Sequence, residues 1–504
     1  MISFVTALPL LLSAATAPMV PPPATSGPSK SAASTPASAS AAAAGLKKSV
    51  VVVRVTGQDP DWRAPWNKAS PWQRTYTGVV VEGRRVLVTA TGLGNATLVE
   101  LQRNGEEQRY PARITLVDYE GPLALLEADD ATFFDGLTPL PLAAEMPVDG
   151  EVTVHRWLAS NQFESARGVV RQVRVEDHGT SRVGVLTLDV TANVSGGGAS
   201  EVMVFNGACV GLATSKNDDV MLAIGAPVLR TFLQAAAKKP YPGLARVGLS
   251  WEKLLNPALR QHLGLKPQDG GILINRVLPN GSAATALKSG DVLLAVGGLP
   301  VDVSGQVDHK RYGKLPFSLV FTLGVLPGDR LPTTVLRDGK RLDVQLTLTR
   351  LTAEMDRVPA YVFDTPAQYL VRGGLVFQHL TIPYLQTYGD WRRRGPMSLL
   401  IAQDLYGAWP ETPGQRMVVL TSVLPDKVNL GYQDERDLLV KTVNGQAIQT
   451  LADVRAAFAT PPASGFHVVV FSPGQSLTRL VLDDKELVDA ANRIQEQYGV
   501  PLDH

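Results

Sequence analysis

The sequence predicts a mainly β protein in which a barrel or sandwich precedes two copies of a smaller α+β module. Three observations carry that expectation. Between Ser49 and about Leu233, short β-branched runs recur with turn residues between them. Two later segments repeat one pattern: Asp291–Gly298 (DVLLAVGG) follows Gly271–Pro279 (GILINRVLP), and Asp437–Gly445 (DLLVKTVNG) follows Met417–Pro425 (MVVLTSVLP). Glycine and proline, at 45 and 36 of 504 residues, suit many tight turns better than a helical bundle.

The elements follow in order. Ser49–Val55 (SVVVVRV) reads as the first strand, and Thr77–Val81 pairs with Arg85–Ala90 around Glu82-Gly83. Asp149-Gly150 and Asn206-Gly207 each lie between apolar runs and signal two further hairpins, because both turn positions accept positive φ. Pro227–Ala237 (PVLRTFLQAAA) has the spacing of an amphipathic helix that closes this region. In each repeat an acidic residue opens the second strand, and a Gly turn ends it. The first copy finishes with a hairpin over Thr333–Leu348 around Asp338-Gly339. The second carries a helix over Leu451–Ala459 and a strand over His467–Ser472. An internal repeat of roughly 100 residues implies two related small domains.

The N-terminus reads differently. Met1–Ala17 is apolar and ends in small residues, with Ala15 and Ala17 spaced as in an export leader, although no Lys or Arg precedes the apolar run. Residues 18–45 are rich in Pro, Ala and Ser and are expected to be a disordered linker, since they hold too little apolar surface to offset the entropy of ordering. No later run reaches the ~18 apolar residues of a transmembrane helix. A formal charge of +1 without basic or acidic blocks excludes an extended nucleic-acid surface. Cys209 is the single cysteine, so an intrachain disulfide and a Cys-based metal site are both excluded. These features together predict an exported protein of a bacterial periplasm or cell envelope.

The stretch Gly271–Gly298 with GSAATALKSGD inside it, and Val247-Gly248-Leu249 before it, resemble the first PDZ domain of HtrA/Deg serine proteases. Gly374–Leu385 (GLVFQHLTIPYL), Val419–Tyr432 (VLTSVLPDKVNLGY) and Tyr498–Pro501 (YGVP) resemble the second PDZ domain of the plant-type Deg branch. Asp189–Leu212, with its returning GACVGL strand, is similar to the segment around that family's nucleophile. The resemblance runs from about Ser49 to the C-terminus. It implies a chymotrypsin-like double β-barrel over residues 46–238, PDZ domain 1 over 244–352, and a connecting segment with PDZ domain 2 over 353–504. It also implies a homo-oligomer, a trimer or trimer-based hexamer, with subunit contacts through PDZ domain 2. No cofactor is implied.

Carrying the catalytic triad across gives Thr91 where the family has His, Pro122 where it has Asp and Gly197 where it has Ser. A serine attacks a peptide only when an imidazole takes its proton and a carboxylate orients that imidazole. Thr, Pro and Gly supply none of these functions. Shifting the alignment by two would put Ser195 at the nucleophile, but Asp189 and Asn193 then lose register. No histidine serves it by sequence pattern, and His155 falls within the strand pattern EVTVHRW. The run Ser195–Ala199 reads as a tight turn needing positive φ, or as an anion-binding nest of backbone N–H groups. The remaining histidines (His178, His262, His309, His379, His467 and His504) show no metal-ligand spacing. Asp129-Asp130 and Asp434-Glu435 read as solvated turns, and Cys209 as a small core residue. Arg246, Val247, Gly248, Leu249 and Ser250 would form the carboxylate-binding loop and edge strand of PDZ domain 1, facing a helical wall at Phe317–Gly324.

The resulting expectation is a pseudoprotease that binds polypeptide C-termini, unfolded segments or an active relative, as scaffold, regulator or chaperone. The alternatives are an active endopeptidase using Ser195, and an assembly protein whose PDZ domains bind one another.

Overall fold

The computed structural model describes residues 45–179, 181–194 and 197–503. The leader Met1–Ala17, the linker up to residue 44 and Ser195 lie outside the described residues, and Ala44–His504 forms one compact unit. Six strands close the first barrel: β1 (Val50–Gly57), β2 (Trp72–Val81), β3 (Arg85–Thr89), β4 (Ala96–Gln102), β5 (Arg109–Asp118) and β6 (Leu123–Ala128), in the order β1-β2-β3-β6-β5-β4. The unbroken valine run of β1 has a physical reason. Val51, Val53 and Val55 fill the barrel, while Val50 packs with Val79, Leu87 and Leu125 against the second barrel. Both faces are buried, so the usual alternation of apolar and polar residues is absent. Each valine so buried is worth roughly 1.5–3 kcal/mol relative to exposure.

The second barrel holds β7 (Glu151–Trp157), β8 (Phe163–Glu176), β9 (Val185–Ala192), β10 (Val202–Phe205), β11 (Ala208–Asn217) and β12 (Val220–Gly225), in the order β10-β11-β12-β9-β8-β7. Asn206 and Gly207 join β10 to β11 with φ of 50° and 76°, a tight hairpin as the sequence predicts. Asp149-Gly150 forms no hairpin, because no strand precedes it. Prolines 139, 141 and 147 interrupt that approach, and its donors are spent singly, Leu140 N–H on Val80 and Ala143 N–H on Cys209. The closing helix is α1 (Ala226–Ala236), which buries Val228, Leu229 and Phe232 in the core between the barrels.

The first repeat comprises β13 (Leu249–Lys253), α2 (Pro257–His262), β14 (Ile272–Val277), β15 (Val292–Val296), β16 (Leu299–Pro300), β17 (Gln306–His309), β18 (Gly313–Pro316), β19 (Arg330–Arg337) and β20 (Lys340–Thr347). Its sheet runs β13-β14-β15-β19-β20, which leaves β13 at an edge. The second repeat comprises β21 (Tyr369–Arg372), β22 (Leu375–His379), α3 (Ile382–Gln386), α4 (Trp391–Arg394), α5 (Met397–Tyr406), β23 (Val418–Val423), β24 (Leu438–Val443), β25 (Gln446–Ala447), α6 (Leu451–Ala459), β26 (Phe466–Phe471), β27 (Arg479–Asp483) and α7 (Asp484–Tyr498). Its sheet runs β21-β22-β23-β24-β26-β27.

The repeated acidic residues do different work in the two copies. Asp291 receives two bonds of 2.7 Å from Arg337, whereas Asp437 accepts the hydroxyls of Tyr384 and Tyr388 at 2.5 and 2.6 Å. The helical wall expected over Phe317–Gly324 shrinks to a single 3-10 turn over Phe317–Phe321. Pro316 starts this turn, and the Thr322 hydroxyl is drawn to the Gly184 carbonyl of the second barrel.

Candidate functional site

Thr89 ends β3, and its N–H donates to Ser200 Oγ at 2.7 Å. The chain then turns through Ala90 to Thr91, with Ala90 N–H on the Pro122 carbonyl at 2.7 Å. Thr91 and Pro122 therefore line one cavity, about 230 Å³ in volume, together with Tyr119, His178 and Phe363. An imidazole does face this cavity, but it is committed. His178 bonds Thr214 at 2.6 Å and Thr187 at 2.7 Å through its two ring nitrogens, and burial depresses its pKa to about 4. His155 is held the same way by Ser165 and Thr153, both at 2.8 Å, and burial also lowers its pKa to about 4. Gly197 lines a different and larger cleft of about 450 Å³, and Arg74 borders both spaces.

The glycine-rich loop is both a turn and a nest. Gly197 and Gly198 have φ of 111° and 93°, and a Cβ on Gly198 would fall 2.7 Å from the Lys216 backbone nitrogen. Only glycine fits there. The N–H groups of Gly198 and Ala199 both donate to Glu201 Oε2, at 2.9 and 2.8 Å. Glu201 is 2% exposed, and its other oxygen lies 3.8 Å from Arg156. The anion in the nest is thus the chain's own carboxylate. Sequence reading missed Glu201, although an acidic residue opening the buried run Val202–Val204 was a signal that it needed a partner.

The segment after β20 covers the Thr91–Pro122 cavity. Phe363 lies on Gly94, where a Cβ would fall 2.3 Å from its ring. Asp364 and Asn95 exchange bonds of 2.8 Å, backbone N–H to side-chain oxygen in each direction, and the Tyr119 hydroxyl donates to Asp364 at 2.7 Å. Buried Glu120 accepts from the Ala353 N–H, the Tyr361 hydroxyl and the Arg182 N–H. Burial raises its pKa.

In the first repeat, Gly248 has φ of 69°, and the carbonyls of Arg246, Val247 and Gly248 accept from Ser282, Ala283 and Leu278. The carbonyls are tied back, and among the described residues no acceptor takes the N–H of Val247 or Gly248. That arrangement suits a terminal carboxylate. Leu249 and Ser250 pair with Val277 and Arg276 on β14, leaving the outer side of β13 unpaired. Arg246 departs from the expected loop role, because Asp356 draws its guanidinium into a buried pair at 2.8 Å.

One PDZ-domain model matches residues 358–504, and a second matches residues 254–309. Protease Do-like 4, mitochondrial, of Arabidopsis thaliana is 25% identical over 408 residues, covering 80% of this chain and 75% of its own. Protease Do-like 2, chloroplastic, of the same plant is 26% identical over 414 residues, covering 80% of this chain and 66% of its own. The chain is similar to HtrA/Deg-type proteases over 80% of its length and carries PDZ domains. Among solved structures, HtrA-type protease AlgW with decapeptide overlays with a TM-score of 0.46 at 16% identity, covering 61% of this chain and 98% of that one.

The described residues hold no group of three or more His, Cys, Asp and Glu side chains able to bind a metal ion. No helix among them is long and apolar enough to cross a membrane. Cys209 is fully buried, and its thiol pKa is pushed up to about 12, which leaves it a core residue rather than a nucleophile.

Proposed function

We propose that this HtrA/Deg relative is a pseudoprotease that binds polypeptides or partner proteases instead of cutting them. One observation carries the reading: the backbone donors beside the nucleophile position already hold Glu201, so an oxyanion would compete with a buried carboxylate. With Thr91, Pro122 and Gly197 taken as the triad positions, these side chains supply no imidazole, carboxylate or serine hydroxyl. Loss of the serine or histidine alone typically costs on the order of a million-fold in turnover.

Binding is assigned to the loop Val247–Leu249 and edge strand β13, which would add an extended C-terminus to the sheet. Oligomerisation through the second PDZ domain, as scaffold or regulator of an active relative, belongs to the same proposal. So does export, which rests on Met1–Ala17. The organellar names of the relatives speak against a specifically bacterial periplasm. A second reading, assembly without peptide binding, draws on Trp251 of β13, which packs edge-on to Phe317 at 5.7 Å.

The test is cleavage of unfolded casein by the purified protein beside Ser195→Ala. Background cleavage from both is expected. Cleavage abolished in the variant would assign the nucleophile to Ser195 and restore the endopeptidase reading.

A further inference from the structure

The Thr91–Pro122 cavity has no part in peptide capture, yet it is furnished like a ligand site. Aromatic rings form much of its wall: Trp72 on β2, Tyr119 just after β5, and Phe363 from the covering segment. Phe363 lies 4.6 Å from Tyr119 and stacks on Tyr361 at 5.1 Å, so two other rings hold the covering one. Glycine keeps the space open. A Cβ on Gly94 would strike the Phe363 ring at 2.3 Å, and one on Gly92, where φ is 77°, would fall 2.1 Å from the Arg74 guanidinium.

The polar groups of this cavity are unequally committed. Asp59 spends one oxygen on Trp72 Nε1 at 3.0 Å and the other on Asn95 at 2.8 Å. His178 is tied to Thr214 and Thr187, and it is neutral at pH 7 because burial depresses its pKa to about 4. Arg74 is different. It lines the cavity from an exposed position, with its guanidinium carbon 4.8 Å from the Trp72 ring centre and the Tyr76 phenol beside it. Stacking occupies the face of a guanidinium and leaves its N–H edge for an acceptor. Among the described residues no carboxylate pairs with Arg74, and no acceptor engages the Thr91 hydroxyl.

We propose that this cavity binds a small aromatic monocarboxylate, its ring against Trp72, Tyr119 and Phe363 and its carboxylate on the N–H edge of Arg74. Size sets the class. The cavity holds about 230 Å³, below the roughly 300–1,000 Å³ of sites for drug-sized ligands, whereas an apolar cavity of about 150 Å³ admits benzene. One ring with one short substituent therefore fits. Aromatic walls favour a flat ring in offset or edge-on contact, and a guanidinium takes a carboxylate through two parallel bonds. The charge of Asp59 opposes a second anionic group, which limits the ligand to one. The cavity shares no residue with the Val247–Leu249 loop, so the site stands or falls separately from peptide capture.

The probe is 4-fluorobenzoate, followed by fluorine NMR as the purified protein is titrated in. Saturable line broadening is expected, and 4-fluorobenzamide, of the same size without the charge, should bind at least about tenfold more weakly. Arg74→Gln should weaken the benzoate at least about tenfold while leaving the benzamide and the melting temperature as in the parent. A merely structural role for Arg74 would weaken both ligands alike. Arg113→Gln, at a position whose side chain pairs with Glu127 and Asp129, should change nothing. A peptide with a free C-terminus should not displace the probe; displacement would place the benzoate on the Val247–Leu249 loop and overturn the proposal. So would the absence of saturable binding, equal binding of benzoate and benzamide, parental affinity in Arg74→Gln, or cyclohexanecarboxylate competing as well as benzoate.

Discussion

Two glycine loops in this chain present backbone N–H groups, and they have opposite fates. In the loop at Gly197–Ala199 the donors of Gly198 and Ala199 close on Glu201, a buried residue of the same segment. In the loop at Val247–Leu249 the carbonyls are bound by Ser282, Ala283 and Leu278, which leaves the donors of Val247 and Gly248 available. The difference teaches that a nest is a site only when the protein does not fill it. Here one internal carboxylate takes up the donors of Gly198 and Ala199.

Breaking the open loop should give the largest effect. Gly248→Glu sets a side chain at φ of 69° and a negative charge where a carboxylate would dock, with Cβ 3.1 Å from Gly281 Cα. Affinity for free C-terminal peptides should fall at least about a hundredfold by calorimetry. An unchanged affinity would remove this loop from the binding site and favour assembly.

Opening the closed loop should cost stability. Glu201→Ala leaves two N–H donors without their carboxylate, while Arg156 keeps Glu164 at 2.6 Å, a loss of about 1–3 kcal/mol in chemical denaturation. Casein should remain intact in that variant, because no base is gained. Onset of cleavage would show that Glu201 alone was holding back a competent site.

Acid should sharpen the contrast between buried and exposed groups. His155, His178 and His379 have pKa values near 4 in the fold, each lowered chiefly by burial, against about 6.5 when unfolded. The unfolded chain therefore binds more protons between these values. Their stabilising contribution is complete above about pH 6.5 and is lost as pH falls toward 4, by a few kcal/mol in total. Glu120 and Asp356, raised by burial, work in the opposite direction and blunt the loss. Thermal melts should fall from about pH 7 to about pH 4.5, and a flat profile would mean that the carboxyls win.

The smallest effect concerns the cover over the Thr91 cavity. Asn95→Ala removes the side-chain bonds to the Asp364 N–H and to Asp59 while keeping the backbone bond to Asp364, and should cost about 0.5–1.5 kcal/mol, with faster amide exchange confined to residues near Phe363.

Much of this was legible in the sequence because it is local. The valine run of β1, the Asn206-Gly207 turn, the hairpin around Asp338-Gly339 and α6 each follow from periodicity and turn chemistry within a dozen residues. The internal repeat was legible for the same reason, since its pattern recurs in order. The misread turn at Asp149-Gly150 shows the limit of such signals: a turn dipeptide needs two strands, and its donors went to both barrels.

The sequence by itself determined a β-barrel or sandwich followed by two related modules, since apolar spacing dictates which faces must be buried, while the division into two barrels was implied only by the family resemblance. It also determined that Thr91, Pro122 and Gly197 carry no imidazole, carboxylate or hydroxymethyl group. Only the tertiary structure decided where charge and hydrogen-bond donors would meet. Glu201 folds back onto its own loop, Arg246 turns to Asp356, 110 residues away, and Phe363 reaches Gly94 from beyond the first PDZ domain. Such pairings depend on which distant segments packing brings together, and no local periodicity records them.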